Sequence, residues 1–135
     1  ILGQGPEHSN LIKQIKLKGL VNQVRLIGFK KNPYSWFAKA DYFILSSFYE
    51  GMPNVILEAL ACGTPVISTP APGGTKEILK DIPNCEIAKD ISAHAIAQAI
   101  QKCISKPIKR VPSHSLNRFS PNLINKKYEE VFLSE

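Results

Sequence analysis

The chain of 135 residues is long enough for one domain with a sizeable core, and its 44% hydrophobic and 21% charged residues are ordinary for a soluble globular protein. No stretch approaches the roughly 20 apolar residues of a membrane span, and the first residues lack the basic region and cleavage site of a signal peptide. The net charge is +6, and the chain has two basic ends around an acidic middle. This distribution suits an anionic substrate or a membrane surface. It does not indicate nucleic acid, because no aromatic residues are interleaved with the basic ones.

Strand and helix patterns alternate from the start of the chain. Residues 1–3 have the pattern of the end of a strand, which predicts that the chain is part of a longer protein. Residues 6–19 place apolar side chains at helical spacing and close on a glycine, a residue that favours helix ends. Residues 24–28 have a short strand pattern, and Asn32-Pro33 then predicts the start of a helix.

The same alternation continues through the rest of the chain. A helix between Pro53 and Gly63 separates two continuously apolar strand patterns, at 41–47 and 64–69. A weaker strand pattern covers residues 84–88. Further helices are predicted at 75–80, at 92–104 with Ser92 as N-cap, and from Ser120-Pro121 onward, with a polar, basic connection at 105–119.

Five strand patterns separated by helices predict βαβ units. The expected fold class is therefore α/β, with a doubly wound, Rossmann-like parallel sheet covered by helices on both faces. In such sheets, ligands bind beyond the carboxyl ends of the strands. Glu50 and the Gly73-Gly74 pair both follow strand patterns, so we expect them to share one edge of the sheet.

The cysteines and histidines give no support for metal chemistry. The three cysteines have no CxxC-type spacing, and we interpret them as reduced thiols in or near the core. The three histidines are scattered among polar residues and form neither a ligand set nor a catalytic triad. We therefore predict no metal site.

Two glutamates, Glu50 and Glu58, flank the predicted start of the helix at Pro53. The N-terminal end of a helix offers free N–H groups and a positive dipole, which suit an anion such as phosphate. Glu58 lies one turn into the helix among apolar neighbours, where an unpaired carboxylate is costly to bury. Two carboxylates around a phosphate-binding helix end favour a sugar nucleotide as ligand. The alternative is structural: Glu58 lies on a solvated stripe of its helix, and Glu50 favours the helix end electrostatically.

Residues 46–79, SSFYEGMPNVILEALACGTPVISTPAPGGTKEIL, closely resemble the donor-site signature of the retaining GT-B glycosyltransferases of family 4, with its E-x7-E motif. The resemblance extends to residues 1–7, 24–29 and 118–132. It implies the C-terminal half of a GT-B architecture, with a partial donor-binding domain at 1–119 and, at 120–135, a helix that returns toward an N-terminal domain absent from this chain.

The resemblance also implies a role for each site residue. Glu50, the catalytic candidate, would bind hydroxyls of the transferred sugar, and Glu58 would bind the ribose. The other donor-binding candidates fall into three groups. The backbone of Gly51, Met52, Asn54 and Val55 would lie against the diphosphate and sugar. Phe29 and Lys30 would lie near the base, and Gly73 and Gly74 would allow close approach near the sugar. For these two glycines, a plain turn before the next helix is the alternative.

The activity implied by the resemblance is hexosyl transfer with retention, from a nucleotide diphosphate sugar to an acceptor hydroxyl. UDP is the favoured nucleotide, and polysaccharide or lipopolysaccharide biosynthesis is the expected setting. Neither a metal nor another cofactor is expected. The acceptor would be a glycan or lipid-linked and held by the absent N-terminal domain, so the isolated chain is expected to be inactive. We expect a cytoplasmic protein, peripheral at the inner membrane face.

Two other classes of protein remain open. A GT-B-like sugar-nucleotide epimerase or hydrolase would share the fold and the donor pocket. A non-catalytic sugar-nucleotide-binding domain is the second, although the presence of both Glu50 and Glu58 argues against it.

Overall fold

The computed structural model describes residues 1–133, which form two compact units, Ile1–Pro33 and a second from Tyr34 onward. The first unit contains helix α1, His8–Leu17. As predicted, α1 closes on a glycine: Gly19 has a φ of 66°, and the N–H of Leu20 bonds the carbonyl of Ile15 at 2.9 Å.

Instead of the two predicted strands, the first unit has an isolated parallel bridge between Leu2 and Gly28. Two backbone hydrogen bonds support it, from Gly3 N–H to the Gly28 carbonyl at 3.0 Å and from Ile27 N–H to the Ile1 carbonyl at 2.8 Å. The φ angles of Gly3 and Gly28 are 115° and 77°, so neither glycine continues an extended strand and the pairing stops there.

The sheet of the second unit has three parallel strands in the order β1-β2-β3: Phe43–Leu45, Val66–Ser68 and Glu86–Ile87. Phe43 pairs with Val66, and Ile67 pairs with Glu86. These strands lie inside the predicted segments and are shorter than them. Parallel pairing, the defining feature of the predicted α/β class, is confirmed.

Up to residue 133, five α-helices accompany the sheet: α2 (Tyr34–Lys39), α3 (Asn54–Ala61), α4 (Thr75–Leu79), α5 (Ala93–Ile104) and α6 (Pro121–Phe132). Both predicted serine caps are present. The Ser92 hydroxyl accepts from Ala95 N–H at 3.1 Å, and the Ser120 hydroxyl accepts from Leu123 N–H at 3.4 Å. No helix within the described residues is long and apolar enough to cross a membrane.

Strand β2 is buried on both faces. Val66 packs in one hydrophobic cluster with Ile56 of α3 and Ile78 of α4, whereas Ile67 packs in another with Ala95 of α5. Because successive side chains of a strand point to opposite faces, α3 and α4 cover one face of the sheet and α5 covers the other. This arrangement confirms the doubly wound sheet.

The connection after α5 is more ordered than its polar sequence predicts, because Ser113–Phe119 form a 3₁₀ helix. Arg110 donates hydrogen bonds to the carbonyls of Ala40 at 2.8 Å and Cys62 at 2.7 Å, and Arg118 donates to the carbonyl of Ile78 at 2.8 Å. The two arginines therefore bond carbonyls at or near the ends of α2, α3 and α4. The predicted domain division between residues 119 and 120 stays a prediction.

Candidate functional site

Two loops of the second unit leave the same edge of the sheet. Residues 46–53 follow β1 and residues 69–74 follow β2, and parallel strands end at one edge. Their backbones are joined by hydrogen bonds from Glu50 N–H to the Pro72 carbonyl at 3.1 Å and from Gly74 N–H to the Gly51 carbonyl at 2.8 Å. Glu50 and the Gly73-Gly74 pair thus lie side by side, as the strand order predicts.

The two glycines make this contact between the loops sterically feasible. Gly73 has a φ of 110°, and a Cβ atom added to it would stand 2.0 Å from the Glu50 carbonyl oxygen. At Gly74 an added Cβ would meet the flexible Met52 sulfur at 2.9 Å. The glycines are therefore more than a plain turn before α4, since they allow one loop to lie against the other. Their approach to a sugar stays a prediction.

The half-buried carboxylate of Glu50 is oriented by a short chain of hydrogen bonds. Its Oε1 accepts from the Ser47 hydroxyl at 2.5 Å, and the Ser47 carbonyl accepts from the buried Thr69 hydroxyl at 2.6 Å. No hydrogen bond to Oε2 is found among residues 1–133, so that oxygen can accept from a ligand. Sequence reasoning missed both hydroxyl residues, although Ser47 lies two residues after the end of β1 and Thr69 directly after β2.

Helix α3 points its N-terminus at the same edge, with Pro53 as N-cap and no side-chain cap. Contrary to the expectation for the first turn, the N–H of Asn54 is occupied by the Met52 carbonyl at 2.8 Å, and the N–H of Ile56 by the Pro53 carbonyl at 2.9 Å. The N–H of Val55 has no acceptor in the described part of the chain. Val55 is therefore better placed than Asn54 to donate to an anion.

Glu58 lies on α3 one turn after Asn54, beside the helix face that buries Ile56, Ala59 and Leu60. Its side chain is half-buried and forms neither a hydrogen bond nor an ion pair with the residues that the structure describes. Such a carboxylate retains full capacity to accept hydrogen bonds from hydroxyl groups. Its assignment to a ribose stays a prediction.

Phe29 and Lys30 belong to the first unit, where both are exposed directly after Gly28. The Phe29 side chain is 69% exposed. Their contribution to a base-binding site stays a prediction. Within residues 1–133, no three His, Cys, Asp or Glu side chains come together as a metal site, and independence from metal likewise stays a prediction.

The parallel sheet with helices on both faces matches the Rossmann-like half of GT-B glycosyltransferases. Residues 1–122 match the family model described as glycosyl transferases group 1, and the chain belongs to that family.

Solved structures of similar proteins agree with this fold. Anabaena Alr3699/HepE, solved in complex with UDP and glucose, has a TM-score of 0.81 at 27% identity over 99% of this chain and 40% of that one. The apo lipopolysaccharide outer core galactosyltransferase WaaB has a TM-score of 0.84 over the same shares, and at 22% identity it supports the fold alone.

Two sequence relatives are more similar over shorter stretches. The N-acetylgalactosamine-N,N'-diacetylbacillosaminyl-diphospho-undecaprenol 4-alpha-N-acetylgalactosaminyltransferase of Campylobacter jejuni is 40% identical over 60% of this chain and 22% of its own length. The lipopolysaccharide core biosynthesis glycosyltransferase LpsE of Rhizobium meliloti is 34% identical over 78% of this chain and 31% of its own. The matched stretches thus span between about a fifth and a third of these relatives.

Proposed function

We propose that this chain is the donor-binding part of a retaining glycosyltransferase that takes its sugar from a nucleotide diphosphate sugar, with UDP favoured. The observation that carries the proposal is the pair of half-buried carboxylates, Glu50 and Glu58, on either side of the N-terminus of α3. Membership of the glycosyl transferases group 1 family supports it. The complexes of Anabaena Alr3699/HepE with UDP, with UDP and glucose and with UDP-glucose support the choice of nucleotide.

The chemical requirement of the reaction fits this edge of the sheet. Separating a sugar from its diphosphate builds negative charge on the phosphate, and fixed N–H dipoles stabilise that charge without reorganisation. The Val55 N–H and the positive end of α3 would supply this stabilisation. Glu50, oriented by Ser47, would bind sugar hydroxyls, and Glu58 would bind the ribose.

The acceptor belongs to the same proposal. The names of the relatives include lipopolysaccharide core biosynthesis and an undecaprenol-linked acceptor, which support a glycan or lipid-linked acceptor hydroxyl in polysaccharide or lipopolysaccharide biosynthesis. Because the match covers only part of these relatives, we propose that the acceptor is bound outside this chain, which does not catalyse transfer alone. We also propose that the reaction needs no metal and takes place in the cytoplasm, at the inner face of the membrane.

Donor binding is tested by titrating UDP, GDP and ADP separately into isotope-labelled protein and following backbone amide shifts by NMR. We expect UDP to shift amides clustered at Phe29–Lys31 and Glu50–Glu58, and the shifts to be lost in Glu58→Ala. Glu58→Ala should keep a native spectrum, because the Glu58 side chain has no protein partner among the described residues. Glu129→Ala, on α6, is the matched control and should bind like the unchanged chain. Absence of clustered shifts with all three nucleotides would contradict donor binding by this chain.

A further inference from the structure

A second candidate site lies at the other edge of the sheet in the second unit. A cavity of about 420 Å³ opens beside Tyr42, which directly precedes β1, and Cys85, which directly precedes β3. The donor loops instead follow β1 and β2. Because parallel strands all begin at one edge and end at the other, the cavity is separate from the proposed donor site.

The walls of this cavity carry an excess of positive charge. Lys102 and Lys106, at and just beyond the end of α5, line it together with Lys109. The one acidic side chain in the lining, Glu86, pairs with Lys102 at 2.7 Å between Oε1 and Nζ. Lys106 and Lys109 have no ion pair within residues 1–133. The cavity lining therefore has a net charge of +2, from three lysines and one glutamate.

The remaining polar groups of the cavity are neutral. Burial raises the pKa of the Cys85 thiol to about 11 and raises that of Cys103 as well, so both thiols stay protonated at neutral pH. The Tyr42 hydroxyl donates to the Cys103 carbonyl at 3.3 Å, which fixes one wall against α5. Asn84 adds a side-chain amide, held in place by a 3.4 Å hydrogen bond to the Arg110 carbonyl. None of these groups opposes the charge of the lysines.

We propose that this cavity binds the phosphate group of an anionic ligand. Lysine ammonium groups on flexible stems bind phosphate as point charges, and two of the three lysines here are not engaged by acids of the described chain. The volume of the cavity is large enough for a phosphate with part of the molecule that carries it. Ile104 and Ile108, which are 60% and 47% exposed, lie in the same segment as the lysines and could contact the apolar part of a lipid.

The phosphate therefore has two candidate sources, a free phosphate ester or the headgroup of a phospholipid.

The first arm of the test titrates pyrophosphate into isotope-labelled protein. We expect amide shifts at residues 84–86 and 102–109, apart from any shifts at the N-terminus of α3. In the double variant Lys106→Ala/Lys109→Ala, the affinity measured at these amides should fall by about tenfold or more, because both unpaired ammonium groups are lost. The matched control, Lys126→Ala/Lys127→Ala, removes the same charge from α6 and should leave the affinity unchanged.

The second arm measures co-sedimentation with vesicles of phosphatidylglycerol and, in parallel, of neutral phosphatidylcholine. Binding to phosphatidylglycerol vesicles that is lost in Lys106→Ala/Lys109→Ala and kept in the control identifies a phospholipid headgroup as the ligand. Amide shifts with pyrophosphate and no vesicle binding identify a free phosphate ester. No response in either arm, or equal losses in both double variants, would overturn the proposal.

Discussion

The carbonyl oxygen of Glu50 occupies the space that a side chain at Gly73 would need, 2.0 Å from the position of its Cβ atom. The glycine loop after β2 therefore packs closely against the loop that carries Glu50, the candidate catalytic residue. Two backbone hydrogen bonds join the loops, from Glu50 N–H to the Pro72 carbonyl at 3.1 Å and from Gly74 N–H to the Gly51 carbonyl at 2.8 Å. The position of the Glu50 backbone depends on a residue 23 positions away that has no side chain.

We predict that Gly73→Ala destabilises the protein by more than about 2 kcal/mol, since the methyl group meets a fixed carbonyl and the backbone has a φ of 110°. Urea denaturation measures the change in the free energy of unfolding. Gly51→Ala is the control, because its added methyl group meets no atom within 4 Å, and its cost should stay below about 1 kcal/mol. Equal costs for the two variants would contradict the steric role of Gly73.

We predict that Ser47→Ala weakens nucleotide-sugar binding by roughly three- to tenfold, because the Glu50 carboxylate loses its 2.5 Å hydrogen bond and its fixed orientation. NMR titration with UDP-glucose gives the affinity. Ser46→Ala changes a neighbouring exposed serine with no hydrogen bond to Glu50 and should leave the affinity unchanged. Ser47→Thr, which keeps the hydroxyl, should restore most of the binding, whereas a loss as large as in Ser47→Ala would exclude this role of the hydroxyl.

We predict that Arg110→Lys destabilises the fold by about 2 kcal/mol, because one ammonium group cannot reach all the acceptors that the planar guanidinium satisfies. Arg110 donates to the carbonyls of Ala38, Ala40 and Cys62 and to the Thr64 hydroxyl. Thermal unfolding followed by circular dichroism measures the change. Lys109→Ala removes the adjacent charge, which has no such acceptors, and should have little effect. An equal fall of the midpoint in Lys109→Ala would contradict a stabilising role that is specific to the hydrogen bonds of Arg110.

We predict that Cys85 makes stability fall as the pH rises above about 9. The folded-state pKa of Cys85 is raised to about 11 from an ordinary value of 9.0, mainly by burial. The unfolded chain therefore releases the thiol proton first, so the contribution is complete below pH 9 and is lost as the pH rises toward 11.

The effect is measured by urea denaturation between pH 8 and pH 11, and for one thiol it should be on the order of 2 kcal/mol. In Cys85→Ala this part of the decline should disappear, although the other groups that titrate in this range still contribute. Cys62→Ala retains Cys85 and should keep the original slope. An unchanged slope in Cys85→Ala would contradict the raised pKa.

The parts of the fold that the sequence predicts are those set by local chemistry. Ser92 and Ser120 cap their helices and Gly19 ends α1, because each needs only a neighbour three to five residues away. The alternation of buried strands with helices also predicts the parallel sheet. The glutamate pair and the glycine pair were recognised because they lie in one short stretch of sequence.

The parts that sequence reasoning missed depend on partners far along the chain. Arg110 bonds the carbonyl of Ala40, 70 residues earlier, and its own segment reads only as polar and basic. The Thr69 hydroxyl, which follows β2, donates to the carbonyl of Ser47, which follows β1. The role of Thr69 in orienting Glu50 therefore depends on the pairing of β1 with β2, which the sequence around Thr69 does not reveal. The first unit differs for another reason, since Gly3 and Gly28 end the extended backbone after one bridge.

The hydrogen bonds of Arg110 also have a consequence for the order in which the protein folds. During synthesis, residues 34–62 leave the ribosome well before residue 110, so until then the carbonyls of Ala40 and Cys62 lack the guanidinium as a partner and bond to water. Only when the segment after α5 emerges can the guanidinium replace that water. The earlier part of the second unit therefore lacks the hydrogen bonds of Arg110 until late in synthesis. A nascent chain stalled before Arg110 should expose the ends of α2 and α3 to proteases.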